Sequence, residues 1–317
     1  MKQLLEKLVS IPSVSGHEDA MRDYIKHEIA DFFDSVETDA LGNLICHKNG
    51  KGDARVLVTH MDCDGLIVTY CNGDNVKVAP LGSIKAQYAA YRRVEFFTGH
   101  RGLLLPPQSY NSETKISEFS VELGDVPEQE ILLGTKAYFE DNLLSLEGDY
   151  VSGATLSSRA GIACLINAAK EAQFSDRNIY FIFTVQECLG GRGVSAALYG
   201  INTNEIYNFR AASLGKTALP DKAGVGNGAA INVMGKGFVT EPHLAQSVYK
   251  LCSDYGVKAV MFTDANAVSD STFAGKSGAG CVLAEICIPV DNMGSAAEIL
   301  KLSDMKNVCD VAKALVK

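Results

Sequence analysis

Residues 175–190 read SDRNIYFIFTVQECLG, and the run Ile179-Tyr180-Phe181-Ile182-Phe183 within them is apolar at consecutive positions. A strand with one wet face alternates apolar and polar residues, whereas a run apolar on both faces belongs inside a sheet covered by helices on each side. A helix fits Gly161 to Ala172, just upstream, and the apolar pattern recurs at Ala54-Arg55-Val56-Leu57-Val58-Thr59. Further strands fit Asn43 to His47, Ala259 to Phe262 and Val282 to Ile288, with helices at Met1 to Val9, Glu18 to Phe33 and Asp304 to Val316. This alternation predicts an α/β fold, a mixed sheet between crossover helices.

The centre of the chain reads differently. Short β-prone pieces occur at Val76-Lys77-Val78, Arg93 to Phe97, Phe119 to Leu123 and Thr135 to Phe139, broken by Gly73-Asp74, Gly99, Gly102, Pro106-Pro107, Gly124-Asp125 and Gly148-Asp149. Such spacing suits a small β-barrel. The expected organisation is an α/β domain from residues 1–66 and 151–317 with the barrel, residues 67–150, inserted into it. Both junctions then lie beside the segments His60-Met61-Asp62 and Gly153.

The chain has 317 residues, 47% hydrophobic and 21% charged, enough for two buried cores. Its formal charge of −9, without a long Lys/Arg run, argues against nucleic acid and favours small molecules or peptides as partners. No apolar stretch reaches the roughly 18 to 20 residues of a membrane span, and the first residues read as an amphipathic helix instead of a signal peptide. Nine cysteines without a C-x-x-C pair read as reduced thiols, which makes a cytoplasmic protein the expectation.

Several segments then fall in a telling order: IPSVSGHED at 11–19, DALGNLI at 39–45, VTHMDCDGLIV at 58–68, FSVELG and LLGTKAYF within the β-rich segment, SGATLSSRAGIACL at 152–165 and YFIFTVQECLGGRGVSAALYGI at 180–201. Over nearly its whole length the chain resembles the glutamyl and deblocking metalloaminopeptidases, the tetrahedral aminopeptidases, some of them once labelled endoglucanases. The resemblance implies a phosphorylase/hydrolase-like domain carrying a barrel through which subunits pair. It also implies two cations held by His, Asp and Glu, which together generate a hydroxide and polarise the scissile carbonyl.

Position by position, the resemblance puts His60 on a metal ligand, Asp62 on its supporting carboxylate and Glu187 on the general base of a Gln-Glu-Glu motif. Ser157, in the place of an Asp-Asp-Arg-Ala-Gly motif, Cys188, Arg210 and Gly294 stand where the family has metal ligands. A two-metal centre is therefore not expected, and an ion pair of Arg210 with Glu187 or Asp62 is expected in place of a metal. His60 and Cys188, with Cys63 as a further donor, could instead hold a single zinc or cobalt ion. Against these readings stand simpler ones: His60, Asp62 and Glu187 as hydrogen-bonded strand ends, and Cys188 as a small buried apolar residue. Asp270, in Ser269-Asp270-Ser271, matches a family turn near the substrate amine and is the candidate substrate-binding residue; Ser15 and Glu18 are spaced for a helix capping box.

Two functions follow. In the first, the chain keeps a peptide or amino-acid cavity with dinuclear hydrolysis lost or strongly reduced. In the alternative it remains an active metalloaminopeptidase with a remodelled, single-metal site and Glu187 as general base. The resemblance also implies a homo-oligomer, from dimer to dodecamer, with Tyr88, Tyr91, Phe96 and Phe97 as either contact surface or barrel core.

Overall fold

The apolar run that decides the fold forms the strand Arg177–Thr184, inside an 11-stranded mixed sheet among the described residues. A computed structural model describes residues 1–72, 75–124, 131–214, 224–278 and 280–317. Gly73, Asp74 and Asp125, read above as breaks, lie outside the described residues. Four strands run parallel through the centre in the order Arg177–Thr184, Lys51–His60, Thr203–Ala212 and Val282–Asp291. Antiparallel strands flank them, Leu44–Lys48 and Ser35–Thr38 on one side, Glu298–Lys301, Tyr150–Gly153 and Leu144–Ser145 on the other.

Helices cover the faces for the reason given by the sequence: the strands are apolar on both sides. Phe181, Phe183 and Phe209 are buried against the helices Leu156–Glu171 and Leu302–Val316 in one continuous core. Burying each such side chain contributes roughly 1.5–3 kcal/mol. The helix Leu156–Glu171 approaches the sheet very closely, because a Cβ on Gly161 would lie 2.3 Å from Thr59 Oγ1 and 2.7 Å from the Phe209 carbonyl oxygen. Only a residue without a side chain permits that approach, which brings Ser157, in the helix's first turn, toward the ends of the central strands.

The strands Gly65–Asn72, Asn75–Leu81, Ser120–Glu122, Arg101–Leu105, Arg93–Phe96 and Lys136–Phe139 close in that order into an antiparallel barrel. Its core alternates along each strand, with Leu66, Val68, Val76, Val78, Val94 and Phe96 inside. Phe96 therefore belongs to the barrel interior, whereas Tyr91 is 66% exposed. Contacts from the segment 14–17 reach the barrel: Lys136 Nζ donates to the Gly16 carbonyl, and His17 stacks on Phe97 with centroids 3.7 Å apart, while Val14 bridges Cys63 just before the first barrel strand. The expected α/β sheet with an added barrel is the fold observed.

Candidate functional site

Parallel sheets gather functional side chains at the carboxyl ends of their strands. Here His60 ends one central strand and pairs in register with Thr184 of the next, while Arg210 lies two residues beyond the Asn208–Val58 pairing. The turn after Thr184 then carries Gln186, Glu187 and Cys188 back over these ends, with Gln186 in the left-handed region at φ 56°.

Asp62 holds that turn. Its Oδ1 accepts from the Glu187 N–H at 2.9 Å, and its Oδ2 accepts from the Cys188 N–H at 2.9 Å and the Ser15 hydroxyl at 2.5 Å. Glu18 adds a second carboxylate, accepting from the N–H groups of Gly16 at 2.7 Å and Gln186 at 3.0 Å. Ser15 and Glu18 thus do not form the expected capping box: their side chains serve the turn at 186–188, a long-range demand that outweighs the local one. Burial pushes the Asp62 pKa up, but His60 and Ser15 more than offset this and hold it below the ordinary carboxylate value.

His60 Nδ1 donates to the Asp62 carbonyl at 2.9 Å, leaving Nε2 directed elsewhere, and stands 3.6 Å from Asp62 Oδ1. Burial works against the imidazolium, yet Glu187, Asp62 and Asp270 together raise its pKa to about 9. One donor atom each from His60, Glu187 and Cys188 lies within 4.8 Å of the others, a cluster able to hold one metal ion. Cys63, offered above as a further donor, lies outside that cluster; it is buried, and its sulfur accepts from Arg159 Nη2 at 3.5 Å. The Cys188 thiol is pushed well up, by burial first and then by Asp62, Glu187 and Asp64, so without a cation beside it it stays protonated.

Asp270 begins the short helix Asp270–Ala274 and is 2% exposed. Its Oδ2 accepts from the Thr184 hydroxyl at 2.5 Å, while Oδ1 is buried with no partner among the described residues. Burial, with Glu187 next, pushes its pKa up to about 8. It stands close enough to His60 and Glu187 to interact with both electrostatically.

Arg210 is buried, at 7% exposure, and its expected partner was wrong. The guanidinium Nε lies 2.9 Å from Glu285 Oε1, not against Glu187 or Asp62, and Nη1 donates to the Ala211 carbonyl at 2.9 Å. Glu285 wins because its strand pairs directly with that of Arg210, with Asn208 opposite Glu285. Around the pair, Asn232 Nδ2 donates to Glu285 Oε1 at 2.9 Å and the Ser269 hydroxyl to Oε2 at 2.5 Å. Burial opposes both charges, but each more than compensates the other, raising the arginine's pKa and lowering the glutamate's.

Ser157 and Gly294 meet on a second unforeseen carboxylate, Glu298. It accepts from the Ser157 N–H at 2.7 Å, the Ser157 hydroxyl at 2.8 Å and the Gly294 N–H at 2.7 Å. Burial pushes the Glu298 pKa up to about 7. Gly294 adopts φ +80°, and a Cβ there would meet nothing within 4 Å, so the position opens onto space. The sequence did carry a signal for Glu285, a lone carboxylate inside the apolar run Val282 to Val290, which demands a buried cationic partner. No comparable signal marks Glu298.

A mixed sheet with His60, Glu187 and Asp270 near the carboxyl ends of its parallel strands, plus an attached barrel, is the arrangement that comparison with known proteins places in a family. Residues 42–311 match the model of the M42 glutamyl aminopeptidase family, and the chain belongs to that family. The lysyl aminopeptidase of Pyrococcus furiosus is 27% identical over 346 residues, covering 99% of this chain and 96% of that one. Among solved structures, aminopeptidase APDkam598 of the archaeon Desulfurococcus kamchatkensis superposes with a TM-score of 0.92 at 22% identity, covering 99% of this chain and 93% of that one. The TET1 peptidase of Pyrococcus horikoshii superposes at 0.88 with 22% identity, covering 99% and 98%.

Proposed function

We propose that this aminopeptidase-family chain has lost, or retains only strongly reduced, dinuclear peptide hydrolysis and keeps a cavity for a peptide or amino acid. The observation that carries the reading is the Arg210–Glu285 pair: a fixed, buried positive charge beside His60, where the resemblance calls for a carboxylate on a cation. A guanidinium has no lone pair to offer a cation, and its partner Glu285 is already engaged by it, so the position supplies no metal ligand. The other replaced positions offer a second cation no anion of their own: Ser157 is engaged by Glu298, and Gly294 has no side chain. The donor set does not fit two ions.

It does fit one, and the His60–Glu187–Cys188 cluster favours a second reading. These residues would hold a single zinc or cobalt ion, which when bound supplies Lewis-acid chemistry and a thiolate-stabilising charge. In that reading Asp62 fixes the turn that presents Glu187, which acts as general base only if it is not itself spent as the third ligand. Asp270, with its unpartnered Oδ1, is the residue we assign to a substrate amino group.

Elemental mass spectrometry on protein dialysed against zinc or cobalt tests both readings. None bound, with no turnover of aminoacyl-p-nitroanilides, is the expected result. One ion, lost in Cys188→Ala or His60→Ala, moves the conclusion to the single-metal reading, and two ions overturn the assignment. The P. horikoshii neighbour is described as assembling into a tetrahedron or an octahedral shell, and we extend a homo-oligomer to this chain. Mass photometry should then find no stable monomer. The thiols, all of them free, support a reducing, cytoplasmic setting. No helix among the described residues is long and apolar enough to cross a membrane.

A further inference from the structure

Between barrel and sheet lies a cavity of about 290 Å³, at the small end of the range of ligand pockets. Neither His60, Glu187 nor Cys188 lines it; Asp64, Ser157, Gly294 and Glu298 do, so it opens beside the cluster described above. Most of its charged groups are already satisfied. Arg101 Nε donates to Glu95 at 2.8 Å, Arg159 donates to the carbonyls of Met61 at 3.2 Å and Ile11 at 3.0 Å, and Asp141 accepts from the Ala154 N–H and the Thr155 hydroxyl, both at 2.7 Å.

Arg92 is the exception. Among the described residues its guanidinium makes no hydrogen bond and no ion pair, and its contact is the Phe139 ring, 3.9 Å from the centroid. It is largely desolvated, and burial lowers its pKa. A planar fork of donors held over an aromatic ring and lining a cavity can receive an oxyanion in two parallel hydrogen bonds. The cavity also contains the carboxyls of Asp64 and Glu298, which attract an ammonium group and repel a second negative charge. Asp141 and Glu298 lie close enough to Arg92 to act on it electrostatically, though neither forms an ion pair with it.

We propose that Arg92 binds the free carboxylate of a small zwitterionic ligand, an amino acid or a dipeptide, whose ammonium group faces Asp64 and Glu298. The proposal rests on the reading of the cleft as a peptide or amino-acid cavity and names the end of the ligand that decides binding. Recognition then depends on a free carboxyl terminus, a requirement that peptide length and capping test directly.

Isothermal titration of the full chain with glycylglycine, glycylglycine amide and inorganic phosphate, each also against Arg92→Gln and Arg92→Lys, decides it. Glycylglycine is expected to bind the native chain about 10- to 100-fold more tightly than Arg92→Gln, with Arg92→Lys in between. The amide is expected to bind both forms equally weakly. If the amide matches the free acid, or Arg92→Gln changes nothing, the carboxylate assignment is overturned while the peptide cavity stands. If neither peptide binds the native chain, both fall. Arg92-dependent binding of phosphate without the peptide makes the ligand a free oxyanion and overturns the proposal. A single cooperative urea transition in each of the three proteins confirms that the variants fold.

Discussion

Arg210 and Arg92 present the same guanidinium in opposite states. Arg210 is sealed between parallel strands against Glu285, inside a shell of Asn and Ser donors. Arg92 lines the cavity between barrel and sheet, against an aromatic ring and without an ion pair among the described residues, with Asp141 and Glu298 acting on it from farther off. A buried charge paired with one of opposite sign is a structural element even where, as at Arg210 Nε and Nη2, hydrogen bonds are left unmade, because its field is spent on its neighbour; a half-buried one with no ion pair keeps more of its field for something that arrives. On the function proposed above, the difference separates a part of the site that serves as framework from a part available to bind.

The sharpest way to break this contrast is Glu285→Ala. It strands the Arg210 charge in the interior and is expected to cost about 3–5 kcal/mol in urea denaturation, whereas the joint replacement Arg210→Met with Glu285→Leu costs little. If the single variant is as stable as the parent, Arg210 is not framework.

Next comes the pH dependence of the cavity wall. Burial raises Glu298 from 4.5 to about 7. A carboxyl raised on folding favours the native state while protonated, so its contribution is full below about pH 4.5 and is lost as pH rises through about 7. That loss is about 3 kcal/mol at roughly 1.4 kcal/mol per pH unit. Denaturation curves of Glu298→Gln should lack this decline between those pH values; an unchanged slope would place its source elsewhere. The smallest effect belongs to Arg92→Gln without ligand, about 1 kcal/mol or less, the worth of its ring contact. A loss comparable to that of Glu285→Ala would make Arg92 framework too and end the comparison.

The elements that were legible had local signals, while the central strand Thr203–Ala212, the strand Ala229–Asn232 and the helix Pro242–Asp254 were not read at all. Ala259–Phe262 forms as read, and the strands around Val56 and Phe181 extend only a few residues beyond the apolar runs that announce them. Two barrel strands, Gly65–Asn72 and Arg101–Leu105, escaped notice, the first because Thr69 to Asn72 ends it in polar residues and the second because Gly102 reads as a break. The helix Leu156–Glu171 begins five residues before the reading at Gly161, since its first turn is anchored by Glu298 from far along the chain. The site followed the same rule. His60, Asp62, Glu187 and Cys188 could be picked out because they share short motifs, while the partners of Arg210 and Ser157 come from strands 75 or more residues away. Pairing across a sheet leaves no trace in local sequence.

The clamp on residues 186–188 has a consequence for how this region can change. Asp62 and Glu18 order the turn through backbone N–H groups, bonds that any residue other than proline at 186–188 can make. Substitution at 187 or 188 therefore alters the chemistry on offer without disturbing the scaffold, and the motif is a socket into which new functional groups can be fitted one residue at a time.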